Sequence, residues 1–265
     1  MSSGDLSRQG EGAVLIERHA SVALLTLSRP AARNAITWAM YEALEAALKE
    51  VAADEGVRCL VIRGEGGHFA GGTDIGQFSG FFARDGVAYE RRIDGVMGRL
   101  ASLPKPTIAA VEGYAVGAGL VISSCCDLRF AAPAARFGAP MARTLGNCLS
   151  IGNYRRLASA LGAMRVKELL FTGRLLSAEE AVQAGFVTGV VSDEGFIARV
   201  LELAEGVTQN APLTIWATKE AYRRLDEDVR LPPFDDVLEA IYGSDDFAEG
   251  TRAYLEKRSP KWRGR

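Results

Sequence analysis

One stretch of the sequence, residues 106–127, restricts the fold of this chain more than any other. A run of small and β-branched residues at 106–111 is typical of a buried strand, and Gly117-Ala-Gly119 and an apolar segment follow it. The stretch therefore predicts a strand, a tight turn and a helix. The first N–H groups of a helix are unpaired and carry partial positive charge, and small residues let a ligand approach them closely. Such a turn can bind developing negative charge, although tight chain reversal alone also explains its glycines.

Two common phosphate-binding motifs do not fit this turn. The dinucleotide fingerprint needs a third glycine, and Gly117-Ala-Gly119-Leu-Val-Ile122 lacks it. A Walker-type Gly-Lys-Ser/Thr sequence is also missing from the chain. The turn therefore has to be interpreted together with the rest of the sequence.

Strand and helix signals alternate over the first half of the chain. Residues 13–18 and 22–28 predict a hairpin with a turn at 19–21, and Thr37 is a suitable N-cap for the helix that follows. Further strands are predicted at 58–63, 106–111 and 127–132. A glycine-rich loop at 64–74 precedes a helical stretch that continues to about residue 103.

The second half is mainly helical in pattern. Helices are predicted at 149–162 and 164–171, Ser177 and Glu180 form a capping box, and a last strand is expected at 187–191. From residue 194 onward the pattern is helical. The sequence thus predicts an α/β protein with a polar tail at 1–12, a core at 13–206 and a helical region at 207–265.

Composition excludes several classes of protein. The chain has 265 residues, a net charge of −2 and no apolar run long enough to span a membrane, so neither nucleic acid nor a membrane is the expected partner. The N-terminal tail lacks the apolar segment of a signal peptide. The four cysteines show no CxxC spacing and only two histidines accompany them, which argues against a metal site and favours reduced thiols in a cytoplasmic protein.

Several motifs, in order, resemble the crotonase superfamily, the enoyl-CoA hydratase and isomerase family. They are LSRPAARNAI at 27–36, VRCLVIRGEGGHFAGGTDI at 57–75, PKPTIAAVEGYAVGAG at 104–119, CDLRFAAPAARFGAP at 126–140, RVKELLFTGRLLSAEEAVQAGFV at 165–187 and NAPLTIWATKEA at 210–221. The resemblance implies a spiral of ββα units and a C-terminal helical region that builds a homotrimer or a dimer of trimers. It also implies an acyl-CoA thioester as substrate, with no other cofactor.

The shared chemistry of that family is an oxyanion hole, in which two backbone N–H groups stabilise a thioester enolate. By resemblance, the donors are Thr73 and Ala118. The family usually has Ala or Gly at the first position and Gly at the second, so both residues depart from the pattern. The Thr73 hydroxyl is expected either to contact the substrate or to cap the following helix.

The larger departure concerns the catalytic acids. Hydratases of the family use two glutamates to deprotonate water and to protonate the α-carbon. These positions correspond to Val121 and Met141, and neither side chain can transfer a proton. Other subfamilies use an aspartate where Ser150 stands here. Asp127 is the only acid between Glu112 and Glu168, and it matches a structural position of the family.

The resemblance and the local sequence also indicate substrate-binding residues. Arg143 stands where substrate is expected and is a candidate partner for a substrate carboxylate. A triad based on Cys148 or a serine is not expected, because the two histidines both precede the candidate nucleophiles. The residues expected to bind substrate are Arg33, Ala35, Gly71, Gly72, Asp74, Ile75, Gly117, Arg143, Asn147, Ser150, Lys257 and Lys261.

Three functions follow from these expectations. The first is a lyase or isomerase that uses the oxyanion hole without paired carboxylates, such as a decarboxylase of a malonyl-type thioester. The second is an enoyl-CoA hydratase or isomerase with a non-standard acid or base. The third is a non-catalytic acyl-CoA binder. The absence of both glutamates predicts a poor crotonyl-CoA hydratase.

Overall fold

The computed structural model describes residues 11–227 and 233–264, and residues 1–10 of the predicted tail lie outside the described residues. The chain begins with the predicted hairpin, in which β1 (Ala13–His19) pairs antiparallel with β2 (Val22–Ser28). Alternate side chains of β2 enter different apolar clusters. Leu25 and Leu27 belong to one, and Leu24 belongs to the other. Both faces of this strand are therefore buried, as expected of an interior strand.

The other described strands are β3 (Cys59–Gly64), β4 (Thr107–Val111), β5 (Tyr114–Val116), β6 (Leu128–Ala131), β7 (Arg136–Gly138), β8 (Leu176–Ser177) and β9 (Gly189–Val190). The helices are α1 (Trp38–Ala53), α2 (Ala83–Ala101), α3 (Ala118–Cys125), α4 (Met141–Thr144), α5 (Ile151–Leu161), α6 (Ala163–Thr172), α7 (Ala178–Gln183), α8 (Phe196–Thr208), α9 (Pro212–Glu227), α10 (Asp235–Tyr242) and α11 (Asp245–Leu255).

These strands form two sheets. The larger has six strands in the order β1-β2-β3-β4-β6-β9, and all of its pairs except β1–β2 are parallel. The smaller has the order β5-β7-β8. The chain leaves β4 in the large sheet, makes β5 in the small sheet and then enters α3, so the glycine turn lies where the two sheets meet.

Two helices begin at the capping residues that the sequence predicts. The Thr37 hydroxyl accepts a hydrogen bond from the Met40 N–H at 3.2 Å at the start of α1. At α7, the Ser177 hydroxyl accepts from the Glu180 N–H, and the Glu180 carboxylate accepts from the Ser177 N–H. Both predictions are confirmed. Each cap pairs N–H groups that would otherwise have no acceptor.

The C-terminal helices differ in the elements on which they pack. Of these, α10 packs on α2, and α11 packs on the 3-10 helix Ile75–Phe78. Large apolar side chains are exposed on all three helices, namely Leu213, Trp216, Tyr222 and Leu225 on α9, Val237 on α10, and Tyr254 and Leu255 on α11. The expectation that the C-terminal helices build a trimer stays a prediction. Within a single chain, α10 and α11 already pack against other elements.

Candidate active site

A cavity of about 230 Å³ lies between the glycine loop at 71–73, the start of α3 and the inner face of α2. Its wall is mainly apolar, with Ile93, Met97 and Leu149 among the contributing side chains. Tyr254 of α11 also lines it, so the C-terminal region of the same chain helps to enclose this space. One water occupies roughly 30 Å³, so the cavity has room for a small acyl group.

Two loops are held side by side at the mouth of the cavity. The Ala70 N–H donates to the Tyr114 carbonyl at 2.9 Å, and the Val116 N–H donates back to the Ala70 carbonyl at 3.0 Å. Gly72 and Gly117 both have positive φ, which glycine adopts without strain. These bonds bring Thr73 of the first loop and Ala118 of the second to the same cavity.

The backbone N–H groups of Thr73 and Ala118 are available to a ligand. No hydrogen bond from either group reaches an acceptor among residues 11–227 and 233–264. Neither residue has a positive φ, so their Cβ atoms are accommodated despite the departure from the family pattern. Two unpaired N–H donors at one cavity can serve a negatively charged oxygen.

The side chain of Thr73 belongs to a chain of hydroxyl groups. Its Oγ1 lies 2.8 Å from the Tyr41 hydroxyl and 2.9 Å from the Tyr89 hydroxyl. It does not cap the following helix. Asp74 does so, through a 3.0 Å hydrogen bond from the Gly76 N–H, and it also pairs with Arg29 at 2.8 Å. The capping alternative for Thr73 is corrected, because the neighbouring carboxylate is the stronger acceptor.

Val121 and Met141, which the resemblance aligns with the usual glutamates, both line the cavity and are almost completely buried. Val121 lies on α3, and Met141 begins α4. The cavity wall is therefore apolar at both of these positions.

Glu90 is a cavity residue that the sequence reasoning missed. It lies on α2, and its side chain is 2% exposed. The Tyr242 hydroxyl donates to its Oε1 at 2.6 Å, and the Ser150 N–H donates to its Oε2 at 2.7 Å. Burial raises the pKa of Glu90 to about 7, against the opposing effect of the two donors. This carboxyl can therefore gain or lose a proton near neutral pH.

Ser150 and Arg143 do not line the cavity among the described residues. The Ser150 hydroxyl accepts from the Asn153 N–H at the start of α5 and lies 3.1 Å from Asp94, while its own N–H holds Glu90. Arg143 is exposed and lies beside Gly173. The predicted contact between Arg143 and a substrate carboxylate is therefore not supported, because α4 directs this side chain away from the cavity.

Other predicted binding residues separate into two groups. Gly71, Gly72, Ile75, Gly117 and Asn147 line the cavity. The remainder lie outside it, and their predicted contacts with CoA stay predictions.

The residues outside the cavity lie in three places. The Arg33 guanidinium is stacked 5.4 Å from the centre of the Tyr114 ring, and Ala35 accepts from Arg29. Lys257 is exposed after α11, and Lys261 lies in a second, charged cleft with Arg252 and Arg258.

A thiol nucleophile is disfavoured. Burial raises the pKa of the Cys148 thiol to about 12, so it stays protonated. His68 is stacked on Tyr114, and its Nδ1 accepts from the Tyr114 N–H at 3.4 Å.

None of the described helices is long and apolar enough to cross a membrane.

Comparisons with known protein sequences give two findings. The family model for enoyl-CoA hydratase/isomerase matches residues 17–265. The chain is also 33% identical over 256 residues to 2,3-dehydroadipyl-CoA hydratase from Escherichia coli (strain K12). That alignment covers 95% of this chain and 99% of the relative.

Solved structures are similar over nearly the whole chain. Methylmalonyl-CoA decarboxylase in complex with 2-nitronate-propionyl-CoA has a TM-score of 0.87 and 28% identity, covering 96% of this chain and 99% of that one. An enoyl-CoA hydratase/carnithine racemase from Magnetospirillum magneticum has a TM-score of 0.78 and 29% identity, covering 96% of both chains. These likenesses confirm the fold class that the sequence predicts.

Proposed function

The chain belongs to the enoyl-CoA hydratase/isomerase family, and on that premise we propose that it binds an acyl-CoA and stabilises its enolate between the N–H groups of Thr73 and Ala118. Two loops held together by backbone hydrogen bonds support this proposal, because donors fixed before the reaction need no reorganisation when charge develops. The CoA thioester is the substrate in this proposal, and no further cofactor takes part.

The reaction that fits the cavity best is decarboxylation of a malonyl-type thioester. The observation that carries this choice is the presence of Val121 and Met141 in the cavity wall. Hydration needs a base for water and an acid for the α-carbon, and these two side chains supply neither. In decarboxylation, the bond between the α-carbon and the carboxylate breaks, CO2 leaves, and the electron pair forms the enolate without any base.

The charge of the wall supports the same choice. No lysine or arginine is among the described residues that line the cavity. A tight ion pair would stabilise the substrate carboxylate before it leaves, and Arg143 is turned away from the place where it could form one. The closer backbone match to methylmalonyl-CoA decarboxylase than to the hydratase/racemase, at nearly equal identity, points in the same direction.

A second candidate is double-bond isomerisation of an enoyl-CoA. Glu90 favours it, because one carboxyl that titrates near neutrality can remove a proton from one carbon and return it to another. This candidate needs Glu90 to reach both carbons. Decarboxylation needs one proton transfer, whereas isomerisation needs two, so decarboxylation requires fewer correctly placed groups in the cavity.

The test measures CO2 release from malonyl-CoA and methylmalonyl-CoA beside loss of the conjugated absorbance of crotonyl-CoA. We expect CO2 release, and a hydration rate several orders of magnitude below that of a hydratase, because positioned proton transfer contributes about 10² to 10⁴ in rate. Conversion of a 3-enoyl-CoA to the 2-enoyl isomer, without CO2 release from either substrate, would favour the second candidate. Rapid hydration of crotonyl-CoA would refute both.

A further inference from the structure

Glu90 occupies a position that is unusual for an acid. It lies on the buried face of α2, with Gly86 one turn before it and Met97 two turns after it. A buried carboxylate is costly unless it is paired or hydrogen-bonded. No ion pair to Glu90 is formed within the described part of the chain, so the fold keeps this group at an energetic cost without giving it a structural partner of opposite charge.

The surroundings of Glu90 are shaped to hold it. A Cβ at Gly86 would overlap the ring of Tyr242, so the glycine gives that ring the space in which its hydroxyl reaches Glu90. From the other side, the chain before α5 aims the Ser150 N–H at the second carboxyl oxygen. Donors from two separate elements therefore fix the carboxyl at the cavity wall.

The same contacts accommodate both protonation states. The Tyr242 hydroxyl lies 2.6 Å from Glu90 and 3.4 Å from the Cys148 carbonyl. When Glu90 is ionised, Tyr242 donates to it. When Glu90 is protonated, its own O–H donates to the tyrosine oxygen, and the tyrosine proton can turn to the Cys148 carbonyl. Proton loss thus needs rotation of a hydroxyl and no movement of the backbone.

The tyrosines and the cysteine near Glu90 do not compete with it for protons near neutral pH. Asp94, one turn further along α2, pairs with Arg156. Tyr89, Tyr242 and Cys148 all have a raised pKa because they are buried, and the negative charge of Glu90 adds to the effect. Tyr41 of α1 and Tyr154 of α5 have raised pKa values for the same main reason. Unlike these tyrosines and Cys148, Glu90 changes charge near pH 7.

We propose that Glu90 is the catalytic acid that delivers a proton to the α-carbon of the thioester enolate. The inference rests on the proposed function. In this step the O–H bond of the Glu90 carboxyl breaks and a C–H bond forms at the α-carbon. The electron pair returns from the thioester oxygen to restore the carbonyl, and Glu90 remains as a carboxylate until solvent reprotonates it.

The reverse step gives a test that does not depend on decarboxylation. If protonated Glu90 can deliver a proton to the enolate, ionised Glu90 must remove one from the saturated thioester. Wild-type protein in D2O should therefore exchange α-hydrogens of acetyl-, propionyl- or butyryl-CoA, as measured by mass spectrometry. The rate should rise with pH and level off above about pH 7, following ionisation of Glu90.

Three variants separate catalysis from structure. Glu90→Gln keeps the shape and should lower exchange by about 10² to 10⁴. Glu112→Gln is the matched control, because Glu112 is a partly buried carboxyl that does not line the cavity, and it should leave exchange unchanged. Tyr242→Phe removes a donor that favours the ionised form, so it should move the midpoint of the pH profile upward while exchange persists.

A second measurement uses decarboxylation of methylmalonyl-CoA in D2O. Wild-type protein should place deuterium on one face of the α-carbon, whereas Glu90→Gln should release CO2 and give product with deuterium on both faces. If the wild-type protein exchanges α-hydrogens but releases no CO2, the proposed decarboxylation is refuted. The assignment of Glu90 as the acid then still stands. CO2 release with unchanged stereochemistry in Glu90→Gln, or no exchange by wild-type protein with any of the three thioesters, would overturn the assignment of Glu90.

Discussion

At the scale of single residues, the sequence predicted two apolar residues of the cavity wall but not the acid that lines the same cavity. Val121 and Met141 line the cavity as the resemblance implies. Glu90 was missed because it comes from α2, far along the chain from both of those positions. A signal for it exists in the sequence. Glu90 shares the helical face of Gly86, Ile93 and Met97, and an acid on an otherwise apolar face is a candidate functional group.

Burial of Glu90 should make stability depend on pH. Its pKa is about 7 in the fold and near 4.5 in the unfolded chain. Between these values the folded state holds a proton that the unfolded state has lost, so the free energy of unfolding falls as pH rises. The loss should be on the order of 3 kcal/mol and complete above about pH 7. Glu90→Gln should lack this dependence.

Urea unfolding at pH 5 and pH 8 measures the effect as the difference between wild-type protein and Glu90→Gln. Glu50→Gln, at an exposed position of α1, controls for removal of a charge alone. Equal pH dependence in wild-type protein and Glu90→Gln would show that Glu90 is not held neutral by the fold.

Ala118→Pro tests the oxyanion donor. Proline fits the first position of a helix but has no N–H, so α3 should persist while one donor is lost. We expect the rate of decarboxylation or α-hydrogen exchange to fall by about 10² to 10³. Ala118→Gly keeps the N–H and is the matched control. A folded proline variant with unchanged turnover would exclude Ala118 as a donor.

At the scale of elements, the sequence predicted those strands and helix starts that neighbouring residues determine. The hairpin, the start of α1 and the capping box of α7 depend on neighbouring residues, and all three are present. The short strands β5, β7 and β8 and the single turn α4 were not predicted. Each has two to four residues, too few to show a period, and the strands are set by pairing between distant segments.

Two glycines of α2 allow a test of how α10 is held on that helix. Gly86→Ala would force the Tyr242 ring away from α2, and overpacking of this kind costs about 1–3 kcal/mol. Gly95→Ala is the matched control. Among the described residues, no atom outside the adjoining backbone of α2 lies within 4 Å of the added methyl group, so Gly95→Ala should stabilise the helix by roughly 0.5–1 kcal/mol. Thermal unfolding of both variants measures these opposite effects, and equal changes would contradict the packing of Tyr242 on Gly86.

At the scale of the whole molecule, the surface of α9 carries four exposed large apolar side chains, which a single chain does not explain. Leu213 and Trp216 are exposed on one side of this helix, and Tyr222 and Leu225 are exposed on nearly the opposite side. Lys219 pairs with Asp127 and ties the helix to the core. Large apolar side chains on two sides of one helix are typical of an element placed between neighbouring subunits.

We therefore expect the protein to form a trimer or a dimer of trimers through α9. Burial of a leucine side chain contributes about 1.5–3 kcal/mol, so Leu213→Asp and Leu225→Asp should each weaken assembly and together give a monomer. Light scattering at micromolar concentration measures the mass. Leu15→Asp, at another exposed leucine on β1, is the control and should keep the wild-type mass. Because the described cavity is lined by one chain, the double variant should keep α-hydrogen exchange at saturating thioester, whereas a monomeric wild-type protein would exclude this role for α9.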